Sequence, residues 1–311
     1  MAGIHHVTAI AGQSIRNYDF YTRTLGLRFV KKTVNFDDPG TYHFYYGDET
    51  GQPGTILTFF PWEHAAPGRG GVGQTQQTAF RVPAASLGYW AHRLIEKGVT
   101  HQPPEKRFGE WVLSFTDPDG MSLALVGIAG AEREKAWSSG DVPAEHAIRG
   151  FQGVTLLIEN AARTAAILTD VFGFERVGQD GSITRYRAPS LREGAVVDIY
   201  EAKGFLPGRL GRGSVHHIAF RAADDAEQAE MVRKLSEAHG MHPTEQKDRN
   251  YFRSVYFREP GGILFEIATD IPGFAVDEPV ASLGTTLKLP QFLEPRRKEI
   301  ESVLPSLERA A

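Results

Sequence analysis

The chain has 311 residues, about twice the ~150 of one domain, so two domains or one large one is expected. Its 41% hydrophobic and 23% charged residues suit a folded core, and 34 basic against 38 acidic residues leave a net charge of -4, which gives no electrostatic reason to grip nucleic acid or an anionic membrane. The lack of cysteine excludes disulfides, thiolate nucleophiles, Cys-ligated zinc and iron–sulfur clusters, so any metal rests on His and carboxylates, and a reducing cytoplasm is the simplest compartment.

Four weak copies of one pattern succeed one another along the chain, each reading strand, amphipathic helix, then three strands. The first runs GIHHVTAI, IRNYDFYTRTLGLRFVKK, TYHFYYGD and GTILTFF. The second runs TQQTAFRV from Thr75, ASLGYWAHRLIEKGVT and WVLSFTDPDGMSLALVG. Residues 129–147 are polar, small and Pro/Gly-bearing, and read as a linker. The third copy starts near Ile148 with IRGFQGVTLLI, then NAARTAAILTDVFGFERV, SITRYRA and AVVDIYEA.

The fourth is the clearest: SVHHIAF from Ser214, DDAEQAEMVRKLSEAHGM, YFRSVYF and EPGGILFEIATD. In its helix Met231, Leu235 and Ala238 recur at helical spacing, Asp224 stands where it can cap the start, and Gly240 stands at the stop. EPGG and DPDG are turns between strands. After Asp270 comes a tail in which Pro295 opens a short charged helix, RRKEIESVL, that reads as a packing arm or a subunit contact. The fold class is therefore α+β: four βαβββ modules in two domains of mixed sheets, with an N-terminal domain over 1–128, the linker, a C-terminal domain over 148–270 and an arm over 271–311. No apolar run reaches the ~18 residues of a membrane span, and the start lacks a signal-peptide pattern.

The repeats point to a metal. The first strand holds His5–His6 in copy one and His216–His217 in copy four, where copies two and three have Gln76–Gln77 and Gln152–Gly153. The last strand holds Glu266 in copy four, where the others have Thr58, Ala124 and Asp198. One imidazole from each pair with Glu266 is a facial set of two His and one carboxylate, which suits non-haem Fe(II), accepts Mn(II), and also suits catalytic zinc. Strand parity does not say which His of each pair faces the cavity. Asp198 reads as the remnant of a duplicated site. His43, His64, His92, His101, His146, His239 and His242 are expected in loops or on helix faces, as surface or packing residues.

GIHHVT, SVHHIAF, GGILFEIATD and the four modules resemble the vicinal oxygen chelate superfamily, in which glyoxalases, bleomycin resistance proteins and extradiol dioxygenases are grouped. More narrowly, all four modules and the EPRRKEIE tail resemble ring-cleaving dioxygenases of the hydroquinone (para-diol) type, including chlorohydroquinone 1,2-dioxygenases. The resemblance implies cup-shaped sheets around central cavities, and metal ligands His6, His217 and Glu266. It implies a supporting set of His5, Thr8, His216, Arg249 and Tyr256. Tyr256 is then a partner for a bound phenolate, Arg249 a stabiliser of negative charge or of Tyr256, and His5 or His216 a proton carrier. Strict alternation aims His5 and His216 away from the ligand face, so a twist or bulge must bring them back, or they act through packing. The implied reaction joins an aromatic diol to O2 with incorporation of both oxygen atoms. Ordinary catechol enzymes draw ligands from the third and fourth modules, an arrangement against which Gly153 argues.

For the ligands from opposite ends to meet, modules one and four must share one cavity and leave modules two and three a metal-free one. The alternatives are a catechol-type extradiol dioxygenase, a glyoxalase-type isomerase or thiol transferase, and a non-enzymatic ligand-sequestering protein. The second needs a further ligand where Thr58 stands, and the last needs no His–His–Glu set. A homo-oligomer is compatible with the sequence.

Overall fold

The protein is described from a computed structural model that covers residues 3–138 and 140–307. Module one comprises β1 (Ile4–Ala11), α1 (Ser14–Asp19), β2 (Arg28–Asn35), β3 (Asp38–Gly47) and β4 (Ile56–Pro61). Module two comprises β5 (Gln74–Pro83), α2 (Leu87–Glu96), β6 (Glu105–Arg107), β7 (Glu110–Thr116) and β8 (Ser122–Ile128). Module three comprises β9 (Phe151–Ile158), α3 (Ala162–Asp170), β10 (Glu175–Asp180), β11 (Ile183–Arg187) and β12 (Val196–Glu201). Module four comprises β13 (Ser214–Ala222), α4 (Asp225–His239), β14 (Lys247–Asp248), β15 (Arg253–Arg258) and β16 (Leu264–Thr269). The helix of module four obeys its sequence signals: the Asp224 side chain accepts from Glu227 N at 2.9 Å, and Gly240 closes it at φ 61°. Helix α1 differs, ending early in a wider π-type turn over Phe20–Thr24 that seats Tyr21 for a 2.9 Å bond to Asp117 of module two.

Two mixed eight-stranded sheets result. One runs β14-β15-β16-β13-β1-β4-β3-β2 and the other β10-β11-β12-β9-β5-β8-β7-β6. Strand β1 pairs antiparallel with β13, so modules one and four form one sheet; β5 pairs antiparallel with β9, so modules two and three form the other. The sequence halves expected as domains each contribute one module to each sheet. On one face of the first sheet, Val7, Ala9, Phe44, Tyr46, Leu57, Phe59, Ile218 and Phe220 are buried in a core shared with Met231 and Leu235 of α4. Each Val, Leu, Ile, Phe or Met among them contributes roughly 1.5–3 kcal/mol by leaving water. The opposite face is concave and carries the polar residues of the candidate site.

The 129–147 segment is no loose tether: Ala131, Val142 and Ala147 are buried, and Trp90 Nε1 donates to the His146 carbonyl at 2.9 Å. In the tail, Pro295 lies in a 3-10 turn that leads into α5 (Arg297–Val303). Ile300 then packs with Val34, Leu289 and Leu293, and the fully buried Lys31 ammonium meets Asp277 at 2.5 Å and Glu278 at 2.6 Å. The tail is thus an arm clamped over module one.

Candidate metal centre

The β1–β13 ladder is irregular at two places. Ile4 faces Phe220 and His6 faces Ala219, which leaves His5 as an extra residue; Thr8 faces His217 and Ala9 faces Val215, which leaves His216 as an extra residue. A bulge adds one residue to one strand and re-aims the side chains beside it. The first His of each pair is therefore the bulged residue, and the second keeps its place on the concave face.

Three side chains converge there. Glu266 Oε2 lies 2.9 Å from His217 Nε2 and 3.4 Å from His6 Nε2, and the three ligand atoms fall within 4.8 Å of one another. Register explains the meeting: β13 lies between β1 and β16, with Ala219 opposite both His6 and Glu266. All three are buried, at 2%, 5% and 0% exposure for His6, His217 and Glu266. Ser254 Oγ donates to Glu266 Oε1 at 2.5 Å, whereas Oε2 has no hydrogen-bond partner among the described residues. A buried carboxylate oxygen left unpaired between two ring nitrogens fits a cation. Donors in neighbouring positions around an ion at ~2.1 Å stand about 3 Å apart. Burial alone would raise the Glu266 carboxyl; the imidazoles of His6 and His217 outweigh it and hold it well below the usual range. Burial lowers His217 despite the Glu266 carboxylate beside it.

The bulged histidines orient the other two. His5 Nδ1 lies 2.9 Å from His6 Nδ1, and His216 Nδ1 lies 2.8 Å from His217 Nδ1. To present an Nε2 lone pair to an ion, His6 and His217 would carry their hydrogens on Nδ1 and donate to His5 and His216. Burial, then the neighbouring His6, push His5 well below its ordinary value; burial, then His217, bring His216 to about 4, so both stay neutral acceptors near neutral pH.

The remaining expected residues gather at the same face. Tyr256 stands opposite Glu266 in the β15–β16 ladder, its ring 5.8 Å from that of His217. Arg249 Nε donates to Tyr256 Oη at 3.3 Å, and Arg249 Nη2 meets Asp37 at 3.0 Å. Burial, then Glu266, raise the Tyr256 phenol and keep it protonated. Thr8 is buried beside His217, and its Oγ1 lies 2.8 Å from Thr58 Oγ1. A cavity of about 310 Å³ opens over the centre, lined by His6, His43, Phe60, Trp62, Arg249 and Tyr256 among others.

His43 corrects the sequence reading. It lies neither in a loop nor on a helix but on β3, facing this cavity, with Nε2 2.9 Å from Thr58 Oγ1 and Nδ1 2.9 Å from Tyr45 Oη. The signal was present in YHFYYG, where alternation puts His43 and Tyr45 on one face. Asp37 was also missed, because its role depends on a contact 212 residues away.

The second sheet repeats the frame without the ligands. Its bulges fall at Gln76 and Gln152, and Ala124 and Asp198 take the register positions of Glu266. Asp198 is neutralised by Arg185 through two bonds of 2.8 Å, and a Cβ on Gly153 would meet the Val196 carbonyl oxygen at 2.0 Å. That face holds its own cavity of about 380 Å³, lined by Gln77, Arg107 and Phe108 among others.

Residues 3–125 and 150–267 match the family profile described as the Glyoxalase/Bleomycin resistance protein/Dioxygenase superfamily. The chain belongs to that superfamily. Within it, the chain is 48% identical over 306 residues to the "Putative ring-cleaving dioxygenase MhqO" of Bacillus subtilis, covering 97% of this chain and 95% of the relative. It is 34% identical over 303 residues to the "Chlorohydroquinone/hydroquinone 1,2-dioxygenase" of Sphingobium indicum, covering 96% and 94%. The crystal structure of a "putative dioxygenase" from Bacillus subtilis superposes with a TM-score of 0.94 at 47% identity, over 98% of this chain and 97% of that one. Glyoxalase I of Zea mays shares the fold, with a TM-score of 0.66 at 14% identity over 87% and 93% of the two chains.

Proposed function

We propose that the protein is a metal-dependent ring-cleaving dioxygenase of the extradiol type that acts on hydroquinone-type aromatics with O2. The observation that carries this reading is the unpaired Glu266 Oε2 facing His6 Nε2 and His217 Nε2. A relative named for chlorohydroquinone and hydroquinone, at 34% identity along nearly the whole chain, supports the substrate class. Fe(II), or Mn(II), held by the three ligands would supply Lewis acidity toward a phenol oxygen and an electron route to O2.

The chain's own residues do the rest. A para-diol has its hydroxyls opposed, so only one reaches the ligand cluster and the ring must be oriented by side chains. Phe60 and Trp62 offer stacked apolar surface, with ring centroids 5.9 Å apart, and a cavity of about 310 Å³ suits one aromatic ring. Tyr256 Oη, tied to Arg249, is a donor for the substrate oxygen at the centre. Arg249, anchored by Asp37, offsets negative charge there. His216 lines the cavity with Nδ1 accepting from His217, which leaves its Nε2–H as a donor toward an atom bound in the cavity. Thr58 in place of a second carboxylate, the fourth ligand, disfavours the glyoxalase-type reading.

No described helix is long and apolar enough to cross a membrane, and the cytoplasm is the compartment we propose. The test is anaerobic loading with Fe(II), then oxygen uptake with hydroquinone, substituted hydroquinones and catechol. Uptake with hydroquinones is expected; uptake confined to catechol overturns the para-diol reading, and none with any diol overturns the dioxygenase.

A further inference from the structure

The fourth corner of the concave face lacks a carboxylate but is not idle. Thr58 occupies the β4 position that corresponds to Glu266 on β16, and Tyr45 stands opposite it as Tyr256 stands opposite Glu266. From this corner a continuous chain of hydrogen bonds runs through four buried or half-buried side chains: Tyr45 Oη to His43 Nδ1 at 2.9 Å, His43 Nε2 to Thr58 Oγ1 at 2.9 Å, and Thr58 Oγ1 to Thr8 Oγ1 at 2.8 Å.

The chain has a direction. Tyr45 is 2% exposed, and His43 is the one partner recorded for its oxygen among the described residues. Thr58 Oγ1 spends its one hydrogen on Thr8 Oγ1, so it accepts from His43 Nε2, and His43 Nδ1 is left as the acceptor for the Tyr45 phenol. An imidazole lone pair is also a better acceptor than a phenol oxygen. Tyr45 therefore donates to Nδ1, and neutral His43 carries its hydrogen on Nε2. Nε2–H donates to Thr58 Oγ1, and Thr58 O–H donates to Thr8 Oγ1. The Thr8 hydrogen is left over, with no acceptor recorded among the described residues, on a fully buried side chain two residues from His6 and directly opposite His217 in the ladder.

We propose that His43 and Tyr45 are positioning residues that act through Thr58 to keep the Thr8 hydroxyl a hydrogen-bond donor toward an atom bound beside His6 and His217. In a chain wired the opposite way the Thr8 hydrogen would point at Thr58, and the centre would lose its donor. Bonds in series polarise one another, so the remote phenol strengthens the last donor. The inference rests on the metal reading of His6, His217 and Glu266, and not on the identity of the substrate.

Two measurements need no turnover. Ring-nitrogen NMR of the metal-free protein reads the His43 tautomer, and azide titration of the Co(II)-loaded protein reads donation to a metal-bound atom. The expected results are an Nε2–H tautomer, azide binding weakened about 10-fold in Thr58→Val and about 3-fold in Tyr45→Phe, and no further loss when Thr58→Val is added to Thr8→Val. In the Fe(II)-loaded protein Tyr45→Phe should lower kcat with KM unchanged, which a merely structural role would not do. An Nδ1–H tautomer in the wild type overturns the inference, as does azide affinity in Thr58→Val equal to wild type. Absent oxygen uptake with normal azide results would sink the proposed reaction and leave this inference standing.

Discussion

His5 and His6, adjacent in sequence, face each other through their Nδ1 atoms at 2.9 Å, although neighbours on a regular strand point to opposite faces. The bulge at His5 makes the contact, and the bulge at His216 repeats it with His217 at 2.8 Å. His5→Leu should therefore weaken metal binding about 10–100-fold with the fold intact, since His6 loses the acceptor that holds its Nδ1 hydrogen. Competition with a coloured chelator measures this. Unchanged affinity would reduce His5 to a packing residue.

Tyr256→Phe removes the hydroxyl that Arg249 holds while keeping the ring against His217. Losing a preorganised donor should lower kcat/KM for the preferred diol about 10²-fold. Steady-state oxygen uptake decides it, with metal content measured alongside.

Without metal, the buried imidazoles make the fold acid-sensitive. Burial, and after it His217, brings His216 to about 4, and burial holds His5 and His43 well below 6.5. In this window the unfolded chain binds more protons than the folded one, so stability present above pH 6.5 is lost as pH falls toward 4. His216 alone would contribute about 3 kcal/mol of that loss at full effect. The melting temperature of the metal-free protein at pH 7.5, 6 and 5 reads the slope, and His216→Leu should flatten it.

In the second sheet, Arg185 makes two bonds to Asp198 and one of 2.9 Å to Glu110. Arg185→Met leaves a buried carboxylate without its partner and should destabilise by about 3–5 kcal/mol. Pairing it with Asp198→Leu should recover most of the loss. Urea unfolding of the three proteins checks both statements.

Gly153→His places the histidine of module one at the matching position of module three. Its Cβ would meet the Val196 carbonyl at 2.0 Å, so the substitution should cost at least about 2 kcal/mol and add no bound metal. Metal analysis before and after the change tests whether one added imidazole makes a site where Gln77 offers no imidazole and Arg185 already holds Asp198.

Much of this was legible in one dimension. The four modules showed through their periodicities and turns, and the HH pairs with Glu266 stood out because the repeats could be compared position by position; ladder registers place Thr58, Ala124 and Asp198 at the corresponding sites. Alternation in YHFYYG put His43 on one face with Tyr45, but its bond to Thr58 and the bond of Asp37 to Arg249 were not legible, because nothing local distinguishes such residues from their solvated counterparts.

By itself, then, the sequence determined the kind of module, its number, the donor chemistry on offer and the absence of sulfur. Tertiary structure decided that β1 pairs with β13, which brings ligands from the two ends of the chain to one oxygen, and that two bulges turn His5 and His216 back toward their neighbours. The reason is physical: periodicity is a property of consecutive residues, whereas which strand edges join, and where a ladder slips by one residue, depend on backbone groups that meet only after the sheets have closed.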